Sequence, residues 1–342
     1  MALAVAIAAL AIAIAATPSG ADGVPQLAYT GGASLARTAL LDGTVVHRFR
    51  NLEPFASLDG NVLVGSRPTP KGTGSNLIGF DATTGAVLFK VRDGRFPLAT
   101  QGGGDVAFLP DFNGAGPNER DPSVNSVWWF DVASRRAHRL VRFRNPDRIP
   151  LALAASAGGR LVAIGHGNDV DLFESDIYVA RTDVHRVRRV TTSGKAWYPS
   201  FNADGTQVAY NFRNPQDPCS GGIHLIHVDG THDTTLVKGK CARVLLRPIW
   251  LDASTIVAWW WDQTGPQGLV SVDATTGDVT TLVTGPVVDF SVSRSLGKIA
   301  YRLTDDSLHV YDVASTTTTD LAGGSELPGG RVWLEGSLEL AY

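Results

Sequence analysis

The sequence predicts an all-β fold: a single β-propeller of four-stranded blades. Seven blades fit best, and six or eight are compatible with the same pattern. Two recurring strings and one closure argument lead there. The first string is a glycine followed by a short apolar strand. It occurs as Gly23…Leu27-Ala28-Tyr29, Gly60…Leu63-Val64, Gly104…Ala107-Phe108, Gly159…Val162-Ala163-Ile164, Gly205…Val208-Ala209-Tyr210, Ala253…Val257-Ala258-Trp259, Gly297…Ile299-Ala300-Tyr301 and Gly336…Leu340-Ala341-Tyr342. Successive copies lie 37, 44, 55, 46, 48, 44 and 39 residues apart. Strand-like content returning about every 45 residues marks a repeat architecture, and four short strands per unit is the propeller solution.

The second string is an apolar strand ending in Asp, then a small polar turn. It occurs at Leu41-Asp42-Gly43, Phe80-Asp81-Ala82, Phe130-Asp131-Val132, Val228-Asp229-Gly230, Val272-Asp273-Ala274 and Tyr311-Asp312-Val313, and less clearly at Arg181-Thr182-Asp183. Asp accepts hydrogen bonds from backbone N–H groups just ahead, and Gly takes the left-handed position. These are hairpin turns, and their aspartates are structural.

Each unit therefore reads as strand a, a DG-type turn, strand b, a variable loop, strand c, a D-x-x-x-G turn and strand d. In the best-preserved unit the strands are expected at residues 197–202, 207–212, 222–228 and 233–237. Strand b is apolar at nearly every position, as a strand packed on both faces should be. The third argument is closure. Residues 24–50 lack an innermost strand, and residues 331–342 lack an outer pair. Residues 331–334 are expected to complete the N-terminal sheet, which removes the last exposed strand edges. Both chain ends offer a b-type strand, so one must be displaced or form an extra strand.

Residues 2–16 are uninterrupted Ala, Val, Ile and Leu, ending at Thr17-Pro18-Ser19-Gly20. The run is shorter than the roughly 20 residues of a membrane span and suits a signal peptide. The expected organisation is a signal peptide at 1–16, a linker at 17–23 and the propeller at 24–342, with no stable membrane span after cleavage. One departure is that no Lys or Arg precedes Arg37. The composition, 44% hydrophobic and 18% charged, supports a large core,. A net charge of −3 gives no reason to expect nucleic acid as a partner,.

Alternating strand directions put the a–b and c–d turns on one face and the b–c and d–a loops on the other. The second set is long and varied (residues 67–76, 111–126, 166–176 and 212–222), and function concentrates where loops vary over a rigid frame. Cys219 and Cys241 both fall on that face, in the same unit. The expectation is one disulfide in an exported protein; two buried thiols are the alternative. Just before the innermost strands stand Arg50, Arg95, Arg148, Lys195, Arg247 and Arg331. The seventh approach, near Pro286, is followed by Asp289 instead. Such a basic collar would focus a field on an anionic ligand. The competing reading is that each base pairs with a nearby acid and caps the rim.

Other constellations are weaker. Asp169, Asp171, Glu174 and Asp176 lack the glycine and terminal glutamate of an EF-hand loop, as does the stretch from Asp111 to Glu119. His224 and His227 point to opposite faces of a strand. No H-E-x-x-H or C-x-x-C occurs, so no metal and no cofactor are expected. Gly32-Ala33-Ser34-Leu35-Ala36 lacks the last glycine of a nucleophile elbow, and no catalytic residue is assigned. Trp128-Trp129 and Trp259-Trp260-Trp261 have faces that stack sugars, but in strands b and c they are expected to fill inter-blade space.

The segment from Thr191 to Gly194, then Tyr198-Pro199-Ser200-Phe201-Asn202-Ala203-Asp204-Gly205-Thr206-Gln207-Val208-Ala209-Tyr210, then Ile223 to Thr231, resembles the TolB-like (WD-type) β-propeller repeat. Phe201 stands where that repeat has tryptophan and Ala203 where it has proline. The match is specific across this blade, partial in the others and nearly absent around residues 96–125. The resemblance implies an extracytoplasmic propeller, most often a protein-binding module. With the apolar leader and the basic collar, the expectation is a secreted or periplasmic, non-catalytic monomer that binds a protein or an anionic envelope component. Similar repeats also occur in propeller peptidases and secreted lyases. An extracytoplasmic polysaccharide lyase or hydrolase, with its site at the channel mouth, is the alternative.

Overall fold

The computed structural model describes residues 24–31, 35–53, 55–70, 74–100, 105–110, 125–144, 148–168, 174–184, 186–214, 217, 219–321 and 331–341. The expected signal peptide and linker lie outside these residues, as do Asp111, Glu119, Asp169 and Asp171. Seven antiparallel sheets form a closed propeller. From the second blade to the seventh, each takes its first four strands in chain order, innermost first. The fifth blade comprises Ala196–Phe201, Gln207–Phe212, Gly222–His227 and Thr234–Val237, within a residue or two of expectation.

The first blade closes the ring. Its innermost strand is Val332–Leu334, paired with Leu27–Gly31 so that Trp333 lies opposite Ala28. The surplus C-terminal strand has a separate place. Glu339–Ala341 adds to the inner edge of the fourth blade, where Leu340 lies opposite Leu153 of strand Ile149–Ala155. Among the described residues, that sheet alone has five strands.

Burial follows position in the blade. On the second strands Val208, Ala209, Ile256, Val257 and Ala258 are fully buried between neighbouring sheets. On the outermost strand Thr317–Leu321 only Leu321 is buried. Trp129 is buried as expected, while its neighbour Trp128 is half-buried. Trp259, Trp260 and Trp261 are half-buried; Trp259 packs against the cluster holding Phe290 and Val287, and Trp260 against that holding Leu245 and Trp250.

The aspartate turns behave as the pattern implies. Asp81 Oδ1 accepts the N–H groups of Thr83 and Thr84 at 3.1 and 2.7 Å, and Asp273 Oδ1 accepts those of Thr275 and Thr276 at 2.8 and 2.7 Å. Those backbone donors hold both carboxyls below the usual range,. Innermost strands have an unpaired edge, and serines stitch several together. Ser57 Oγ accepts the N–H of Ala99 at 3.0 Å, Ser200 Oγ that of Trp250 at 3.1 Å, and Ser291 Oγ that of Leu334 at 3.0 Å.

Trp333 is 4% exposed and packs with Phe49, Leu58 and Ile78 of the first two blades. Trp333→Ala is expected to lower the unfolding free energy by about 3–5 kcal/mol in urea denaturation. A loss under about 1 kcal/mol would show that this closing strand does not hold the ring.

Candidate functional site at the channel mouth

Three innermost strands carry the same irregularity. Phe96, Tyr198 and Arg247 have φ of 51°, 49° and 49°. Each precedes a proline (Pro97, Pro199, Pro248), and each lies where the register slips against the second strand. Proline has no ladder N–H and is tolerated at edges and bulges, and a bulge re-aims the neighbouring side chain. A bulky residue at positive φ stores about 1–3 kcal/mol of strain and clusters at functional sites. Here Tyr198, Pro199, Arg247 and Pro248 line a channel cavity with Ala152, Leu153, Ile249 and Glu339. The cavity is about 10 Å³, room for about one water.

Charge at the mouth is shared. Arg247 Nη1 donates to Asp289 Oδ1 at 2.7 Å, and Arg331 Nη1 stands 3.9 Å from the same oxygen. Asp289 Oδ2 accepts the N–H of Val332 at 3.0 Å, so one buried carboxylate ties two arginines to the closing strand. Burial lowers the pKa of Arg331 from its ordinary value, with Asp289 opposing the shift and Arg247 adding to it,. An aromatic chain continues from there. The Arg331 guanidinium lies 4.8 Å over Phe55, Phe55 meets Phe96 edge-on at 4.6 Å, and Arg95 lies 5.1 Å over Phe96. Arg95 Nε is 3.5 Å from Glu53 Oε2.

The structure therefore joins Arg95, Arg247 and Arg331 in one connected rim. Arg148 belongs to a second knot, 2.7 Å from Glu174 and 3.5 Å from the fully buried Asp176, which also pairs with Arg189 at 2.6 Å. Arg50 is exposed, and its carbonyl accepts Arg67 Nη2 at 3.2 Å. Lys195 Nζ lies 6.0 Å over the Phe212 ring. Sequence reasoning missed Phe55, Phe96, Tyr198, Glu339 and Arg294. The recurring Phe-Pro, Tyr-Pro and Arg-Pro pairs at one repeat position were the available signal for Phe96 and Tyr198.

Below the rim, Glu339 forms part of the channel floor. Its Oε1 accepts Ser200 Oγ at 2.8 Å and faces Arg294 Nη2 at 3.3 Å. Burial pushes this carboxyl up, with Arg294 opposing. Cys219 and Cys241 form a disulfide that ties the b–c loop of the fifth blade to the next d–a connection. Beside it, Trp260 Nε1 donates to Ala242 O at 3.5 Å and Arg243 lies 5.3 Å over the Trp260 ring. Among the described residues no three His, Cys, Asp or Glu side chains converge as a metal donor set requires. Among the described residues, no helix is long and apolar enough to cross a membrane.

No protein-family profile matches the chain. No curated protein matches it either. Solved structures do match. The tricorn protease superimposes with a TM-score of 0.63 at 13% identity, over 87% of this chain and 34% of that one, so this chain spans about a third of that protein. An oligogalacturonate lyase in complex with manganese gives 0.60 at 12% identity, over 87% of this chain and 84% of that one. A putative TolB from Agrobacterium tumefaciens gives 0.51 at 16% identity, over 75% and 91%. At these identities the likeness is one of fold.

Two outcomes follow from the variable face. The disulfide closes a loop of 22 residues; replacing both cysteines by serine is expected to remove about 3 kcal/mol of stability, read by chemical denaturation. The second concerns His166, buried and stacked 3.7 Å from Phe143, with Nε2 2.9 Å from Asn125 Oδ1 and 3.0 Å from the Arg148 carbonyl. Burial lowers its pKa from 6.5 to about 4. The unfolded chain thus takes up the proton first. Stability is full above about pH 6.5 and falls as pH drops toward 4, by up to about 3 kcal/mol. His166→Gln should flatten that acid limb in denaturation midpoints at pH 7, 5.5 and 4.5; an unchanged slope would assign the limb elsewhere.

Proposed function

We propose that this chain is an extracytoplasmic TolB-like propeller that binds a protein or an anionic envelope component at the channel mouth on its variable face. The observation that carries this reading is the form of the mouth. The rim joins Arg95, Phe96, Phe55, Arg331, Asp289 and Arg247 through cation–π, edge-on and ion-pair contacts, and Arg247 also lines the channel cavity. A connected surface of arginine and aromatic side chains suits a macromolecular partner. Arg and aromatic residues are the side chains that dominate binding energy at interfaces. An extracytoplasmic setting is supported by the apolar run at residues 2–16 and by the disulfide,.

The test is affinity purification with the full-length protein and with Arg95→Glu/Arg331→Glu, both side chains being about one-third exposed. Partner recovery should drop at least tenfold, about 1.4 kcal/mol, with the thermal midpoint held within a few degrees. Equal recovery would remove the rim from the interface. A parallel assay on polygalacturonate with manganese covers the enzyme alternative. Release of unsaturated uronide product would replace the binding reading by a lyase.

A further inference from the structure

We infer that the channel-facing edge of the fourth blade is a strand-addition site for an extended acidic segment, and that residues 337–341 of this chain fill it in cis. The inference rests on the reading of the propeller as a binding module and names the chemistry of a second ligand, inside the channel and not on the rim. Among the described residues six sheets have four strands, and the fourth blade takes a fifth. Glu339–Ala341 supplies it with a short ladder, Ala154 opposite Glu339 and Ala152 opposite Ala341, extended by the Ala155 N–H donating to the Leu338 carbonyl at 2.8 Å. Where the second, fifth and seventh blades place Ser57, Ser200 and Ser291, this strand has Ala154. Alanine offers no hydroxyl to bridge to the next innermost strand, and this edge is paired by Glu339–Ala341 instead.

The receptor reads side chains as well as backbone. Leu338 is 2% exposed and packs with Leu98 and Leu153. The Glu339 carboxylate meets Ser200 on one blade and Arg294 from another, and Arg294 is itself held by the carbonyls of Trp250 at 2.8 Å and of Phe201. The pattern recognised is an apolar residue, then a carboxylate, in an extended chain. This is recognition by strand addition, in which backbone bonds give affinity and side-chain pockets give specificity. The cis segment is held by few bonds. A carboxylate buried against one hydroxyl and one guanidinium is incompletely compensated for leaving water, and burial does push the Glu339 carboxyl up. A tethered segment acts at an effective concentration on the order of millimolar, so a free peptide competes poorly until the tether's grip is weakened.

The experiment uses the full chain and a fluorescein-labelled peptide, Glu-Gly-Ser-Leu-Glu-Leu-Ala-Tyr, followed by fluorescence anisotropy. Glu339→Ala and Glu339→Lys each loosen the cis segment. Both variants are expected to bind the peptide at least tenfold more tightly than the wild type, and to protect the Ala155 amide from hydrogen exchange when peptide is added. The same peptide with lysine at its second glutamate should not bind. Wild-type affinity in both variants, or equal binding of the lysine peptide, overturns the inference. A concentration-dependent dimer that the peptide does not dissolve would assign the site to a second copy of this chain and equally overturns the acidic partner. None of these results moves the rim, whose arginines are tested separately by partner recovery.

Discussion

Every sheet in a ring has an inner edge whose N–H and C=O groups face the channel and lack partners within the blade's own four strands. How this chain satisfies them decides most of what surrounds the channel. Serine hydroxyls at Ser57, Ser200 and Ser291 receive backbone N–H groups from the next innermost strand. Asp289 receives the N–H of Val332, and residues 335–341 cross the channel floor. There Gly336 N–H reaches the Leu58 carbonyl, Ser337 meets Ser291, and Glu339 meets Ser200. This short segment, directly after the strand that closes the first blade, thereby touches the second, fourth, fifth and seventh blades.

The same economy shapes the mouth. Asp289 bonds the closing strand and pairs with Arg247 and Arg331, so the carboxylate that fastens the ring also sets the charge of the rim. A buried ion pair gives little net stability, because desolvation opposes the Coulomb attraction. Its value lies in geometry: it holds two guanidinium groups beside Phe55 and Phe290 in one arrangement. The positive φ at Phe96, Tyr198 and Arg247 adds local strain that the blades around them must hold,. Arg148 and Arg189 show the contrasting case. They converge on the buried Asp176, which also accepts the N–H of Gly194 at 3.1 Å, and they serve the connection into the fifth blade.

Much of the fold was legible in the residues themselves. The glycine-strand string located the second strand of every blade, the Asp turns located the c–d hairpins, and the missing inner strand near residues 24–50 pointed to residues 331–334 as its replacement. These features are local: strand, turn and buried face are written in a period-two or continuous apolar pattern and in the φ preferences of Gly and Asp. Cys219 and Cys241 were legible for the same reason, since strand counting alone places both loops on one face.

Other contacts depended on the ring being closed. Asp289 precedes Val332 by 43 residues and Ser200 precedes Glu339 by 139, while Arg302 donates to the carbonyl of Thr30 from 272 residues away. No pattern in the chain encodes such pairs, because they exist only once blades from opposite ends of the sequence share a channel. A row of six bases in the sequence therefore became one connected rim of three, one acid knot and two separate side chains. The sequence by itself determined the blades, their turns and their order, through local sterics and burial. The tertiary structure decided which charges meet and where the surplus strand lies, because both are set by distances across the ring.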